Sequence, residues 1–209
     1  MSINDKTCNS NAASGQHQAI GIIQHEKPEE FKRNSHPDAQ WFGEAGLGLF
    51  LHWGISSVSG MVDISWGMMA DTPWDEDKHN KNKMTPNEYY RLAESFNPEK
   101  YNPDKWLSVA ATAGFKYAIL TTRHHDGYAM WPSNVGELGV RTCLDGRDLV
   151  RPFVDACRKN GLKVGLYYSP PDWYFNRKYM SFHYGSENQQ RFPGRCHYDM
   201  DHRPIDSLS

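Results

Sequence analysis

Apolar positions gather in three short runs along the chain, and each run ends in polar or aromatic side chains. The first, "GLGLFLHWG", sets Leu47, Leu49, Phe50 and Leu51 ahead of His52 and Trp53. The second, "KYAILTTRHHDGY", carries Ile119 and Leu120 ahead of His124, His125 and Asp126. The third, "KVGLYYSPPDW", ends in Tyr167, Tyr168, Asp172 and Trp173. Apolar runs of this length, bounded by glycine and turn residues, predict buried strands. Between them the spacing becomes helical. Thr85, Pro86 and Glu88 form a capping box with proline at the first helical position. Asn102 and Pro103 open a second helix, with Trp106, Val109, Ala110 and Ala113 read as its apolar face and Gly114 as its left-handed C-cap. A third helix is predicted over about 148–160, with Leu149, Phe153, Ala156 and Cys157 on one face, Pro152 in or beside the first turn and Gly161 at its end. "AGFKYAIL" and "NGLKVGLY" repeat one layout, with Gly114 and Gly161 standing 47 residues apart.

Buried strands alternating with helices pair in parallel through right-handed crossovers. The fold class is therefore α/β, as an open doubly wound sheet or a β/α barrel. Either architecture brings the carboxyl ends of its strands to one face, where ligands bind. A single histidine at a strand end also serves as a satisfied structural group. Three converging clusters of histidine and aromatic residues describe the floor of one site. The connection over 60–84, with Trp66 and Trp74, is long enough for a functional loop, although its tryptophans could simply anchor it. Residues 1–38 are polar and aperiodic and read as a mobile tail, leaving 39–209 as the folded part.

Composition narrows the function classes. A formal net charge of −2 gives no electrostatic case for nucleic acid. No apolar run approaches the ~18 residues of a membrane span, and the N-terminus shows no secretory h-region, so the cytoplasm is the default compartment. Cys8, Cys143, Cys157 and Cys196 lack C-x-x-C spacing and read as free thiols. No G-x-G-x-x-G phosphate loop follows Gly46 and Gly48, and no cofactor is expected. A metal is not expected either. "HWG" offers one histidine after the first strand, and adjacent His124 and His125 leave a regular strand on opposite sides, although both could bend at its frayed end into the cleft that His52 is expected to share. The aromatic share, 13% with seven Trp and eleven Tyr, suits either a core of large side chains or a cleft for a sugar.

"WFGEAGLGLFLHWGISSVSG", "YNPDKWLSVAATAGFKY", "TTRHHDGYAMWPS" and "RDLVRPFVDACRKNGLKVGLYYSPPDW" resemble, in order and spacing, the N-terminal half of the α-L-fucosidases of glycoside hydrolase family 29, over about residues 40–175. The resemblance implies a (β/α)8-like (TIM-type) barrel and retaining hydrolysis of terminal α-L-fucose from a fucosylated glycan or small fucoside. It implies that His52, His124 and His125 hydrogen-bond sugar hydroxyls, and that Trp66 and Tyr168, with Tyr167 as the alternative, line the pocket. Imidazoles supply donors and acceptors, and rings pack on the apolar C–H edges of the sugar.

Two departures stand out. Ser65-Trp66 occupies the place of a family Glu-Trp, which puts sugar specificity in question. Retaining hydrolysis also needs a carboxylate nucleophile and an acid/base about 5 Å apart. The family nucleophile ends the next barrel strand, and no further buried strand is legible after Tyr168. The expectation is a barrel truncated after about three strands, with both catalytic carboxyls beyond residue 209 and little hydrolysis by this chain alone. Asp126 and Asp172 are the nearest acids. A non-catalytic sugar-binding module and a metal-dependent hydrolase are the alternatives. Leu49, Leu51, Ile119 and Leu166 are expected to face inward without an opposite wall, and the unpaired strands to promote self-association.

Overall fold

The computed structural model describes residues 34–61, 63–70, 84–183 and 197–205. The three apolar runs form strands β1 (Gly48–Leu51), β2 (Tyr117–Arg123) and β3 (Lys163–Tyr168), parallel and in the order β1-β2-β3. Leu47 precedes the first strand, and its carbonyl accepts from the Lys116 N–H at 2.9 Å. A two-stranded antiparallel ladder, β4 (His197–Tyr198) with β5 (Pro204–Ile205), stands apart. The polar tail expected over 1–38 lies outside the described residues up to residue 33, and Pro37 already opens a 3-10 helix, Pro37–Glu44.

Helices α1 (Pro86–Ser95) and α2 (Pro103–Thr112) start where their caps predict. Thr85 Oγ1 accepts from the Glu88 N–H at 3.3 Å, and Glu88 Oε2 accepts from the Thr85 N–H at 2.9 Å. That reciprocal pairing satisfies donors a helix start leaves free. A short turn α3 (Val140–Cys143) precedes α4 (Val150–Lys159), which buries Phe153, Ala156 and Cys157; α5 (Trp173–Asn176) follows β3. The phase of α2 differs from the expected one. Its buried residues are Pro103, Leu107 and Ala110, whereas Val109 is 67% exposed and Ala113 caps the end. The i, i+4, i+7 stripe runs through Leu107, one step around the helix from the predicted face.

Register assigns the two faces of the sheet. Leu49 pairs Ala118 and Leu51 pairs Leu120, while Ala118 pairs Val164 and Leu120 pairs Leu166. These residues share the helix-facing side, where Leu107, Phe153, Ala156 and Cys157 close a core with Ala118 and Leu120 and with the flanking Leu49 and Leu51. Phe50, Ile119 and Gly165 lie in register on the opposite face, away from the helices. Leu49, Leu51, Ile119 and Leu166, expected to face one way, are therefore divided: Leu49, Leu51 and Leu166 share the helix side and Ile119 lies on the other face. Side chains alternate along a strand, so one residue of phase moves a set to the opposite side. A second core gathers Ile55, Met68, Tyr89, Phe96, Tyr128 and Phe182 beside the carboxyl ends of the strands. Among the described residues no helix is long and apolar enough to cross a membrane.

Candidate active site

Each strand delivers rings at its carboxyl end. β1 hands over to His52, β2 to His124 and His125, and the face of β3 away from the helices carries Tyr167 near its end. The ring centroids of His52 and His124 lie 4.9 Å apart and those of His124 and His125 4.3 Å apart. Tyr167 stacks at 6.0 Å from His124 and lies 5.7 Å from His52. Neighbours on a regular strand point to opposite sides, yet these two rings bend together at its end, as a frayed strand end allows. The ladder to β3 shifts register between Thr121 and Arg123, and the strand ends at Arg123, so alternation no longer applies beyond it.

The loop after β1 adds the next wall. Residues Ile64–Met68 form a 3-10 turn with Ile64, Ser65, Gly67 and Met68 buried. Ile64 holds φ at +46°, a strained conformation for a β-branched residue that costs about 1–3 kcal/mol and persists only where neighbours enforce it. The turn aims Ser65 Oγ at Nδ1 of His124, a buried hydrogen bond that fixes the ring through that nitrogen. Trp66 meets His125 edge-on at 5.2 Å, and Trp173 of α5 lies 4.9 Å from His125 and 5.0 Å from Trp66. Trp74 lies outside the described residues.

His52, Trp66, His124 and His125 are thus brought together, and Tyr168 is not. Tyr168 pairs Arg123 across the register shift, takes the Arg123 guanidinium over its ring at 5.4 Å, lies near Trp131 and is 52% exposed. Tyr167 occupies the place expected of Tyr168. The signal for it was in the strand period: Tyr167 shares the face of Gly165, opposite Thr121.

The imidazoles are held neutral. Burial, reinforced by the nearby His125 and His52, pushes His124 down to about 2; burial, His52 and Arg123 push His125 down to about 4; burial also lowers His52. A neutral imidazole offers one N–H donor and one acceptor, which suits alternating contacts to sugar hydroxyls. The nearby carboxylates are already engaged. Fully buried Asp126 accepts from the Tyr89 hydroxyl at 2.7 Å and the Tyr128 N–H at 2.9 Å, and burial raises its pKa. Asp172 is paired with Arg123 at 2.6 Å. Among the described residues no three His, Cys, Asp or Glu side chains are grouped to hold a metal ion.

The Alpha-L-fucosidase family model matches residues 13–202. The chain belongs to the α-L-fucosidase family. The tissue α-L-fucosidase of Bos taurus is 34% identical over 145 residues, covering 68% of this chain and 31% of its own length. The α-L-fucosidase isoenzyme 1 from Paenibacillus thiaminolyticus superimposes with a TM-score of 0.58 at 31% identity, over 76% of this chain and 35% of that one. A glycoside hydrolase family 29 α-L-fucosidase from Bacteroides thetaiotaomicron, trapped as a covalent intermediate in complex with 2-fluoro-fucosyl fluoride, aligns at 32% identity with a TM-score of 0.54, over 69% of this chain and 32% of that one. The chain spans about a third of the length of the α-L-fucosidases it matches. The family match begins at residue 13, inside the stretch expected to be a polar tail.

Proposed function

We propose that the histidine cluster is the sugar-binding floor of a retaining α-L-fucosidase, carried on the N-terminal part of a (β/α)8-like barrel. The substrate is a terminal α-linked L-fucose of a glycan or small fucoside. His52, His124 and His125 exchange hydrogen bonds with its hydroxyls, and Trp66 and Tyr167 pack on its C–H edges. Retaining hydrolysis forms and then hydrolyses a covalent glycosyl-enzyme, and needs two carboxyls about 5 Å apart. The covalent intermediate captured on the Bacteroides thetaiotaomicron relative supports that reaction class. Asp126 and Asp172 are committed to Tyr89, Tyr128 and Arg123, so we assign neither as nucleophile or acid/base and look for both outside the described residues. That engagement is also what favours the second reading, a sugar-binding module without chemistry.

The observation that carries the proposal is the contact of neutral imidazoles from two parallel strands, ringed by Tyr167 and Trp66. Titration of the chain with L-fucose, read by tryptophan fluorescence, tests it. A saturable change is expected, weakened about tenfold or more in His124→Ala, since losing a hydrogen-bonding group costs about 1–3 kcal/mol. No saturable change, or one that His124→Ala leaves intact, contradicts the proposal.

A further inference from the structure

We propose that Trp173 is a positioning residue of the histidine floor, clamped there by a latch of Arg123 and Asp172; its link to sugar binding rests on the function proposed above. The latch joins the end of β2 to the loop after β3. Arg123 is 7% exposed, and its Nη2 meets Asp172 Oδ2 at 2.6 Å. Its Nη1 donates to the carbonyls of Ser169 at 2.7 Å, Pro171 at 3.2 Å and Pro170 at 3.4 Å. One guanidinium therefore gathers the whole 169–172 segment. A solvated ion pair is worth little, but one whose arginine is buried and whose donors are spent on fixed acceptors defines geometry.

Asp172 passes that geometry on. Its Oδ1 accepts from the Phe175 N–H at 2.9 Å and caps the turn of α5. Trp173 follows at once, and its backbone N–H donates to the His125 carbonyl at 2.8 Å. The indole then lies 4.9 Å from the His125 ring, tilted by 35°, and meets Trp66 edge-on at 82°. Trp173 thus braces both the imidazole and the indole proposed to touch the sugar. Without the latch, the 169–173 segment keeps the backbone bonds at Ser169 and Trp173 to the end of β2 and the ring packing of Trp173, with no side-chain anchor at Asp172.

The test uses the full chain and two readouts. The first needs no sugar. Trp173 should shift the His125 Hε1 proton resonance through its ring current, and Asp172→Asn or Trp173→Ala should move that resonance while leaving His52 Hε1 in place. The second is the dissociation constant for L-fucose. Roughly tenfold weakening is expected in Asp172→Asn and Trp173→Ala, with Trp173→Phe recovering most of it because a ring still packs there. Should Asp172→Asn fail to fold, Trp173→Phe and Trp173→Ala, with the latch intact, decide the same question. A His125 resonance unmoved in folded variants overturns the positioning role. An unmodified chain that does not bind L-fucose contradicts the function proposed above, while the His125 resonance still decides the latch.

Discussion

Ser65 illustrates how one side chain changes the meaning of a site. It is short and uncharged, fully buried, and spends its hydroxyl on His124 rather than projecting beyond it. Burial keeps the imidazoles around it neutral, lowering His52 and holding His125 down to about 4 and His124 down to about 2. Stability should follow from this. In the unfolded chain each histidine titrates near 6.5, whereas in the folded chain His125 waits until about 4 and His124 until about 2. The unfolded state therefore binds more protons below pH 6.5. Stability is complete above that pH and falls on acidification, by about 1.4 kcal/mol per pH unit for each fully differential histidine. Asp126 works in the opposite sense, because its raised pKa favours the folded state in acid. Urea denaturation at pH 7, 6 and 5 should show the decline, and His124→Gln should flatten it; a profile that His124→Gln leaves unchanged would assign the effect elsewhere. That His52, His124 and His125 come together was legible because histidines stand where apolar runs stop. The choice of Tyr167 over Tyr168 was legible in the strand period, since Tyr167 shares the face of Gly165 and pairs Thr121 ahead of the register shift, whereas the placing of Tyr168 against Arg123 depends on that shift and leaves no mark in the residue types.

At the level of elements, punctuation was more legible than phase. Thr85, Asn102, Gly114 and Gly161 mark helix ends in the sequence and stand at or beside them in the structure, because capping is local chemistry. The buried face of α2 depends on what lies beneath it, so the helix period alone put Val109 inward where Leu107 belongs. Other requirements appear only when elements meet. Gly127 sits at φ +86°, and a Cβ there would come within 2.5 Å of Asp172 Oδ1. It permits the left-handed turn after His125 and Asp126 and leaves room for the latch. Gly127→Ala should destabilise the chain by about 1–3 kcal/mol, from the backbone penalty and the collision together. Denaturant melts compare the two proteins directly, and wild-type stability in the variant would mean that the turn tolerates a side chain and the latch has slack.

Over the whole molecule the sheet is covered unevenly. α2 and α4 cover β2, but Val164, Leu166 and Tyr168 on the helix side of β3 are 37%, 52% and 52% exposed. The far edge of β3 is unpaired among the described residues. Exposed apolar side chains beside an open strand edge favour association. Light scattering across a concentration series should therefore find particles larger than one chain, fewer of them in Leu166→Lys; a monomer at every concentration would show that this face is tolerated in water. The parallel α/β layout was legible in the repeated strand and helix pattern, whereas how far the helices cover the sheet is set by contacts the pattern does not encode. The central claim is that the carboxyl ends of β1 and β2 bind a fucosyl unit. It is tested most directly by mapping L-fucose on the isotope-labelled chain through its histidine and tyrosine side-chain resonances. The account predicts saturable shifts at His52, His124, His125 and Tyr167, with Tyr168 unmoved. Shifts centred on Tyr168 and Trp131, or none at the three histidines, would contradict it.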